Sequence, residues 1–554
     1  MENTLILPTE NYLTPRVKPP HYGYVAGACL HGINGQIVGI EVSISLGLPI
    51  TKIVGMADQA VREALNRIRA SLTHIEEGMP RGRITVNLMP GWLPKSGTGF
   101  DLPIALAIMI AKKGQEVPRI GAIGELSLQG DVLPVNGLLP QVQALCQEDL
   151  AYIFVPAKSI KELISLSDPR IIGIESLKEA AFATQNTQQT PQYILDKSKQ
   201  RIIDHNAEEV NKRVPAIFPG TLKPTIKLRD LPGQRIAVRG LAAACAGGHH
   251  TLLIGSPGCG KTVMARFAGA LLPPLEEQDT MDLLAIYSAA GHLKNTASTH
   301  YRPPIRSPHY TISVPNLIGG GHVPKPGEIS LAHCGILFID EITSVAPATL
   351  AAMRIPLEEG NIELIRRYQS YRFPCQFILI AAANPCPCGH LLDQDETIVC
   401  RCSSASIAHY YRKLKGAFAD RIDLRIEIRK LSAADLSLTL EQTSWLQTET
   451  LKQQVHRARV KQLHRNGKTN DGRIVLNSRL PTDVIPDRLL LSPAALRQAK
   501  RYAKLTRLSI RSFYKLLRVA RTFADLDEAE SVEAYHLAEA MQYKNNDLRE
   551  EGRY

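Results

Sequence analysis

A glycine-rich segment that ends in lysine and threonine is the part of the sequence best suited to chemistry. It follows the apolar, strand-like run 251–254 and precedes the helix-forming run 263–272. This matches the pattern GxxxxGK[ST] with the strand and the helix that the pattern requires, although a chance glycine-rich turn is the alternative. Backbone N–H groups and a helix N-terminus together bind phosphates. We predict an ATP site made of Gly255, Ser256, Pro257, Gly258, Cys259, Gly260, Lys261 and Thr262.

Within this site we expect Lys261 to reach the β and γ phosphates and Thr262 to ligate Mg²⁺. Two acids, Asp340 and Glu341, follow the apolar run 335–339. We predict that the first completes the Mg²⁺ shell and that the second polarises the attacking water as a general base. Two acids that cap the following helix are the alternative. Asn384 follows another apolar run, where its amide can orient the water.

The elements that would position these residues form three blocks. The 554 residues, 44% apolar and 21% charged, exceed what one hydrophobic core usually supports. Strand and helix patterns alternate in the middle block, which predicts an α/β fold with a largely parallel sheet. The first block mixes strand-like and helical runs, and the last is helical. The predicted order is an extension (1–21), an α+β domain (22–184), a linker (185–225), an ATPase core (226–430) and a helical lid domain (431–554).

Net charge and hydropathy limit the partners and the cellular location that the sequence predicts. The net charge of +12 favours a polyanionic partner, although a mildly basic surface is also common in chains of this length. The N-terminal residues lack the features of a secretory signal or an anchor. The most apolar stretch, 100–111, contains Asp101 and is shorter than the roughly 20 residues that span a bilayer. We therefore expect a cytoplasmic protein without membrane contact.

Four of the ten cysteines are clustered in two CxC pairs, separated by an eleven-residue loop. Four thiolates brought together by a short loop suit a closed, structural Zn²⁺ site, in which His390 could replace one ligand. A loop of free thiols is the alternative. The predicted ligands are Cys386, Cys388, Cys400 and Cys402.

Several longer stretches carry a resemblance to a known family. They are 306–309 (RSPH), 319–321 with 326–333 (GGG and PGEISLAH), 384–389 (NPCPCG), 420–424 (DRIDL) and 508–512 (LSIRS). Over almost its whole length the chain resembles the ComM/YifB family of magnesium-chelatase-like AAA+ ATPases. The resemblance implies a ring, with Asn384 as the first sensor, Arg421 as an arginine finger and Arg511 as the second sensor. An intradomain salt bridge from Arg421 to Asp420 or Asp423 is the alternative for that residue.

The resemblance also places an insertion near 305–325 and a hairpin near 361–372, which face the central pore in related rings. The hairpin interleaves basic and aromatic residues, a combination suited to phosphates and stacked bases. A solvated hairpin is the alternative, because exposed Arg and Tyr are frequent on edge strands. The candidate DNA contacts are Lys325, Arg366 and Arg367.

The first block is similar to the Lon-protease fold in the run 124–138 (GELSLQGDVLPVNGL). Lon-type proteolysis needs a nucleophilic Ser and a Lys base. The resemblance puts Gly99 and Leu139 at these two positions, so we predict that no peptidase dyad forms. Ring assembly or substrate contact is the expected role of this domain.

The resemblance to the ComM/YifB family, together with the basic charge and the hairpin, implies an ATP-dependent, homohexameric motor that drives branch migration of DNA in natural transformation or homologous recombination. ATP and Mg²⁺ are the expected cofactors. The alternative is an ATPase of the magnesium chelatase type, which remodels a protein partner. A Lon-like protease is a third hypothesis, which the missing dyad weakens.

Overall fold

The computed structural model of the protein describes residues 21–114, 116–185, 216–224, 231, 233–293, 301–366, 369–393, 399–412, 418–430, 445–470, 472–506 and 508–544. The chain divides into two compact units. Residues 1–214 and 287–299 make the first unit, and residues 215–286 and 300–554 make the second.

A mixed sheet of seven strands, in the order β3-β4-β2-β1-β5-β8-β9, forms the centre of the first unit. Strands β1, β2 and β4 pair antiparallel, whereas β3–β4, β1–β5, β5–β8 and β8–β9 pair in parallel. The short strands β6 and β7 form a separate ribbon. The strands are β1 (Tyr22–His31), β2 (Asn34–Ser45), β3 (Thr51–Val54), β4 (Arg83–Met89), β5 (Ile120–Ala122), β6 (Glu125–Leu126), β7 (Val132–Leu133), β8 (Tyr152–Pro156) and β9 (Ile171–Ile174).

Four α-helices accompany this sheet among the described residues: α1 (Gln59–His74), α2 (Asp101–Lys113), α3 (Leu138–Cys146) and α4 (Leu177–Gln185). The side chain of Asp58 caps α1 by accepting a hydrogen bond from the Val61 N–H at 2.9 Å. Helix α2 is buried from Asp101 to Ala111, which explains its continuous apolar sequence. Its one buried acid is neutralised by Arg67, whose Nε lies 2.6 Å from Oδ2 of Asp101. The α+β architecture predicted for this block is confirmed.

The second unit contains a five-stranded, all-parallel sheet in the order β11-β14-β17-β10-β18. Its strands are β10 (Thr251–Ile254), β11 (Ile305–Arg306), β14 (Ile336–Ile339), β17 (Ile378–Ala383) and β18 (Leu424–Glu427). Two antiparallel ribbons lie outside this sheet, β12 (Gly319–Gly320) with β13 (Lys325–Pro326), and β15 (Asn361–Arg366) with β16 (Gln369–Pro374). The predicted parallel sheet is therefore confirmed. The segment expected as an insertion from 305 begins as the edge strand β11 of this sheet.

Helices surround the sheet and fill the C-terminal part of the chain. They are α5 (Arg235–Gly247), α6 (Lys261–Leu271), α7 (Glu277–Ala289), α8 (Val314–Ile318), α9 (Glu328–Leu331), α10 (Pro347–Ala352), α11 (Arg354–Glu359), α12 (Ser404–Arg412), α13 (Trp445–Asn466), α14 (Ile485–Leu489), α15 (Pro493–Thr506), α16 (Ile510–Leu526) and α17 (Ala534–Gln542). The helical character predicted after residue 430 is confirmed within the described residues.

The C-terminal helices begin at residues that cap helix N-termini. The hydroxyl of Ser509 accepts from the Ser512 N–H at the start of α16, and α15 begins at Pro493, directly after Ser492. Helix α17 begins at Ala534, because Glu533 forms a capping box with the third residue of the helix.

A buried carboxylate joins three segments of this helical region. Asp525 accepts from both terminal nitrogens of Arg465 at 2.7 Å, from Nη2 of Arg521 at 2.9 Å and from Nδ2 of Asn477 at 2.8 Å. Arg521 is only 1% exposed, so its charge is balanced by the protein and not by solvent. The carboxylate therefore balances two guanidinium groups inside the core.

We predict that Asp525→Ala strongly destabilises the second unit, by about 3–5 kcal/mol, because two buried arginines lose their shared counter-ion. Calorimetric melting of the full chain measures the loss. Glu530→Ala is the control, since its exposed side chain changes stability by no more than about 0.5 kcal/mol. Equal melting of the two variants would contradict the role assigned to the network.

Candidate functional site

The glycine-rich segment connects strand β10, which lies between β17 and β18 in the sheet, to the first turn of α6. Its geometry depends on Gly258 and Gly260, which have φ values of +77° and +94°, in the left-handed region that favours glycine. Gly255 also needs to lack a side chain, since a Cβ there would lie 2.5 Å from the carbonyl oxygen of Ile428. Helix α6 begins at Lys261, so the predicted strand, loop and helix follow each other as the motif requires.

The side chain of Lys261 connects this loop to the neighbouring strand β17. Its Nζ donates to the carbonyl oxygens of Gly255 at 2.7 Å and Ser256 at 3.1 Å, and to Oδ1 of Asn384 at 3.0 Å. The predicted sensor amide and the phosphate-loop lysine are therefore in direct contact. All three oxygen atoms accept hydrogen bonds from the ammonium group of Lys261. Phosphate oxygens could replace them.

The two acids lie at the same edge of the sheet. Asp340 and Glu341 follow β14, and β14 is separated from β10 in the sheet only by β17. Oδ1 of Asp340 accepts from the Glu341 N–H at 2.9 Å, which orients that carboxylate. Glu341 has a φ of +50° and an exposed side chain, a strained conformation that is common at functional sites. Carboxylates placed here can ligate Mg²⁺ or accept a proton from water.

Tyr410 also lies near the two acids, and no pattern in the sequence predicted this. Its hydroxyl accepts from Oγ1 of Thr343 at 2.7 Å, one short turn after the two acids. Burial raises the pKa of Tyr410, whereas Thr343 and the backbone of Asn384 lower it and the charge of Glu341 raises it. No spacing signal marks Tyr410, because α12 comes close to these segments only through the tertiary fold.

The two candidate arginines meet at one carboxylate. Nη2 of Arg421 lies 3.0 Å from Oε2 of Glu358, and Nη2 of Arg511 donates to Oε1 of the same side chain. The alternative partner Asp423 instead lies 2.8 Å from Nζ of Lys515 and accepts from the His250 N–H. An intrachain salt bridge of Arg421 thus exists, but to a partner that was not expected. Both guanidinium groups lower the pKa of Glu358 against the opposing effect of burial.

The four clustered cysteines come together in the fold. The Sγ atom of Cys386 lies 3.3 Å from that of Cys388 and 3.6 Å from that of Cys400, and Cys402 belongs to the same group. Tetrahedral Zn²⁺ with bonds of about 2.3 Å requires sulfur separations of about 3.8 Å, close to these distances. His390 does not belong to this group of possible ligands, and its Nδ1 lies 2.7 Å from Oδ2 of Asp393. The residues present therefore fit a zinc site with four cysteine ligands.

Along the chain, the hairpin of β15 and β16 comes after β14, which ends at the two acids, and before β17, which ends at Asn384. Its two described arginines, Arg366 and Arg372, are exposed. The hydroxyl of Tyr371 donates to Oε1 of Gln369 at 2.9 Å. Arg367 lies outside the described residues. Lys325 is exposed on the short ribbon of β12 and β13, so the described basic candidates lie on two separate ribbons.

The protease-like positions of the first unit carry no nucleophile and no base. A Cβ at Gly99 would contact only Ile123, Gln141 and Val135, and Leu139 is fully buried. The backbone N–H of Leu139 donates to the hydroxyl of Ser288 at 3.3 Å, within the same unit.

Among the described residues, no helix combines the length and the apolar character needed to span a bilayer.

The parallel sheet, the phosphate loop after strand β10 and the acids after strand β14 define a P-loop ATPase of the AAA+ type. Three family models match the chain. The model of magnesium chelatase, subunit ChlI, matches residues 227–436, and the model of subunit ChlI of Mg-chelatase matches residues 40–159. The model of the C-terminal region of magnesium chelatase subunit ChlI matches residues 446–544.

Full-length relatives support the same class. The chain is 34% identical over 516 residues to competence protein ComM of Haemophilus influenzae, which covers 93% of this chain and 95% of that protein. It is 34% identical over 517 residues to YifB of Salmonella typhimurium, with the same coverage. Lon protease 2 of Syntrophobacter fumaroxidans is 28% identical over 154 residues, 26% of this chain and 20% of that protein. The chain belongs to the ComM/YifB family of magnesium-chelatase-like AAA+ proteins. This family membership supports ATP hydrolysis and implies ATP and Mg²⁺ as cofactors.

We predict different defects for two substitutions in the ATP site. Lys261→Ala removes the positive charge for the phosphates and weakens nucleotide binding. Glu341→Gln retains binding but lowers hydrolysis by about 10² to 10⁴-fold, because an amide is not a base. Titration with a fluorescent ATP analogue and phosphate-release assays separate these effects, with the exposed Lys158→Ala as control. Hydrolysis at the wild-type rate by either variant would contradict the assignment of the site.

Proposed function

We propose that the protein is a ring-forming, ATP-driven motor that moves on DNA and shifts branched junctions. The observation that carries this proposal is the exposed basic hairpin of β15 and β16. It lies in the chain between the strand ends that carry Asp340 and Asn384. A structural change at these strand ends during hydrolysis can therefore be transmitted along the chain to the hairpin, whose surface is suited to phosphates and bases.

In this proposal each residue of the ATP site has one role. Lys261 contacts the β and γ phosphates, and Thr262 and Asp340 hold Mg²⁺. Glu341 accepts the proton of the attacking water, which Asn384 orients. The remaining residues of the phosphate loop, apart from Pro257, supply backbone N–H groups. Arg421 and Arg511 act at nucleotides held between subunits of a homohexamer, in which an arginine finger works in trans.

The biological setting is part of the proposal. A relative that matches almost the whole chain has the name competence protein ComM, which supports a role in natural transformation or homologous recombination. The magnesium chelatase models favour a second candidate, an ATPase that remodels a protein partner. The basic hairpin favours the DNA motor, because phosphate contacts need exposed cations and remodelling of a protein does not require them.

We also propose that Cys386, Cys388, Cys400 and Cys402 bind one structural Zn²⁺ per chain. The short separations of their sulfur atoms support this assignment. A site closed by four protein ligands has no position for substrate, so its role is structural.

We predict that Arg421 acts on the nucleotide of a neighbouring subunit. Arg421→Ala and Lys261→Ala are each expected to be inactive alone. Mixed rings should regain part of the ATPase rate, because some interfaces then pair an intact finger with an intact phosphate loop. An arginine finger contributes about 10³ to 10⁵ in rate, so the recovery is measurable.

The matched control mixes Lys261→Ala with the double variant Lys261→Ala/Arg421→Ala, in which no interface has an intact phosphate loop. Native mass spectrometry verifies that the subunits mix. Mixed rings that stay as inactive as this control would show that Arg421 acts only within its own chain.

We predict that Arg366→Ala/Arg372→Ala lowers DNA-stimulated ATPase and junction movement while basal ATPase is maintained. Each lost phosphate contact should reduce the slope of log K against log[salt] by about 0.9 for duplex DNA. Gel shifts at several salt concentrations and a four-way junction assay measure both effects. The exposed pair Arg62→Ala/Arg69→Ala on α1 makes the same change of charge and serves as control.

Two outcomes would contradict the motor. In the first, DNA binds equally well to both double variants. In the second, DNA leaves the ATPase rate of the wild-type protein unchanged at low salt. The second outcome would favour the protein-remodelling candidate.

A further inference from the structure

The cysteine loop begins inside the nucleotide site. Cys386 follows Asn384 by two residues, and its side chain is completely buried. Asn384 is held in place by the 3.0 Å hydrogen bond from Lys261. Anything that fixes the Cys386 sulfur therefore also fixes the backbone that presents the Asn384 amide to the phosphate loop.

The same loop then packs directly on the phosphate loop. Gly389 has a φ of +87°, and a Cβ at this position would lie 2.6 Å from Cδ of Pro257. Only a glycine allows the backbone at 389 to lie so close to the Pro257 ring without displacement. Residues 389–393 of this loop thus form a wall against the second variable position of the GxxxxGK[ST] motif.

A second contact lies a few residues further along. The side chain of Asp393 is only 1% exposed, and its Oδ2 is bound to His390. Its Oδ1 is buried without a hydrogen-bond partner among the described residues. The Ser256 hydroxyl is near this carboxylate and, after His390, lowers the pKa of Asp393, although it does not reach hydrogen-bond geometry. Ser256 itself is buried, so the wall contacts Pro257 and lies near Ser256.

From this arrangement we infer that the metal-bound cysteine loop is a wall of the nucleotide site, and that Gly389 and Asp393 position the phosphate loop and Asn384 for nucleotide. The inference rests on the zinc site proposed above. Zinc ties Cys386 and Cys388, at the start of the wall, to Cys400 and Cys402 beyond it. Without the metal these four ligands are no longer joined, and the wall loses its restraint.

The consequence is a link between metal content and nucleotide affinity. A site that is in its binding conformation only part of the time binds more weakly in proportion to that fraction. If loss of zinc leaves the wall ordered about one tenth of the time, the apparent Kd for nucleotide rises about tenfold. Because ADP binding involves no hydrolysis, it reports on the positioning of the loop without any contribution from the catalytic step.

The first experiment removes the metal from the full-length protein. Elemental analysis should find one zinc per chain in fresh protein and none after treatment with a strong chelator. Titration with a fluorescent ADP analogue should then show about tenfold weaker binding, which one equivalent of zinc restores. Circular dichroism verifies that the chain stays folded.

The second experiment displaces the wall while all four cysteines remain. Gly389→Ala should retain one zinc and bind ADP about tenfold more weakly, because the new methyl group pushes the loop away from Pro257. Gly467→Ala is the matched control. Its φ of +79° creates similar backbone strain, but no atom lies within 4 Å of the new Cβ. This control should change neither zinc content nor ADP affinity.

The outcomes separate the inference from the zinc proposal. Fresh protein without zinc would contradict both. Unchanged ADP affinity after complete removal of zinc, or normal ADP affinity in Gly389→Ala, would overturn the inference and leave the zinc site intact. Zinc-dependent ADP affinity together with a defect confined to Gly389→Ala would support it.

Discussion

The hydrogen bond between Lys261 and Asn384 joins the two segments on which the nucleotide site depends. One partner begins the helix after strand β10, and the other follows the adjacent central strand β17. Because β10 and β17 are parallel and in register from Thr251 to Ile254, their carboxyl ends lie at the same level. Open parallel sheets place their ligand sites at this edge. The cysteine loop and the hairpin are both connected to the site through these strands.

The parts of the site that sequence could predict are those in which function and local structure use the same residues. The phosphate loop contains its own glycines, and the acids directly follow a buried strand, so spacing alone located them. Contacts between distant segments left no such signal. Glu358 lies 63 residues before Arg421 and 153 before Arg511, a separation at which no periodicity applies. Tyr410 reaches Thr343 across 67 residues in the same way. Resemblance supplied the two arginines but not the carboxylate between them.

Net charge proved to be a weaker guide to partners than the exposure of individual side chains. Several arginines that contribute to the value of +12 are bound inside the second unit. Arg465 and Arg521 share Asp525, Arg459 donates to the carbonyl oxygen of Cys245, and Arg306 pairs with Glu328. Such residues stabilise packing and contribute little to a surface that attracts DNA. The case for a nucleic-acid partner therefore depends on the exposed residues of the hairpin and much less on composition.

The salt bridges of Glu358 have a bearing on how a ring would use its arginines. Glu358 is 38% exposed and Arg421 is 12% exposed, so water reaches the carboxylate side of this ion pair, and an ion pair at the surface stabilises a protein by only about 0–1 kcal/mol. An arginine finger accelerates phosphoryl transfer by about 10³ to 10⁵, equivalent to about 4–7 kcal/mol in the transition state. Because the transition-state stabilisation exceeds the strength of the ion pair, a neighbouring γ-phosphate can displace Glu358 at little cost. Before such a phosphate binds, the Glu358 carboxylate holds both guanidinium groups close together. Part of the conformational entropy of the two arginine side chains is therefore already lost. The intrachain contact of Arg421 is therefore compatible with an action in trans.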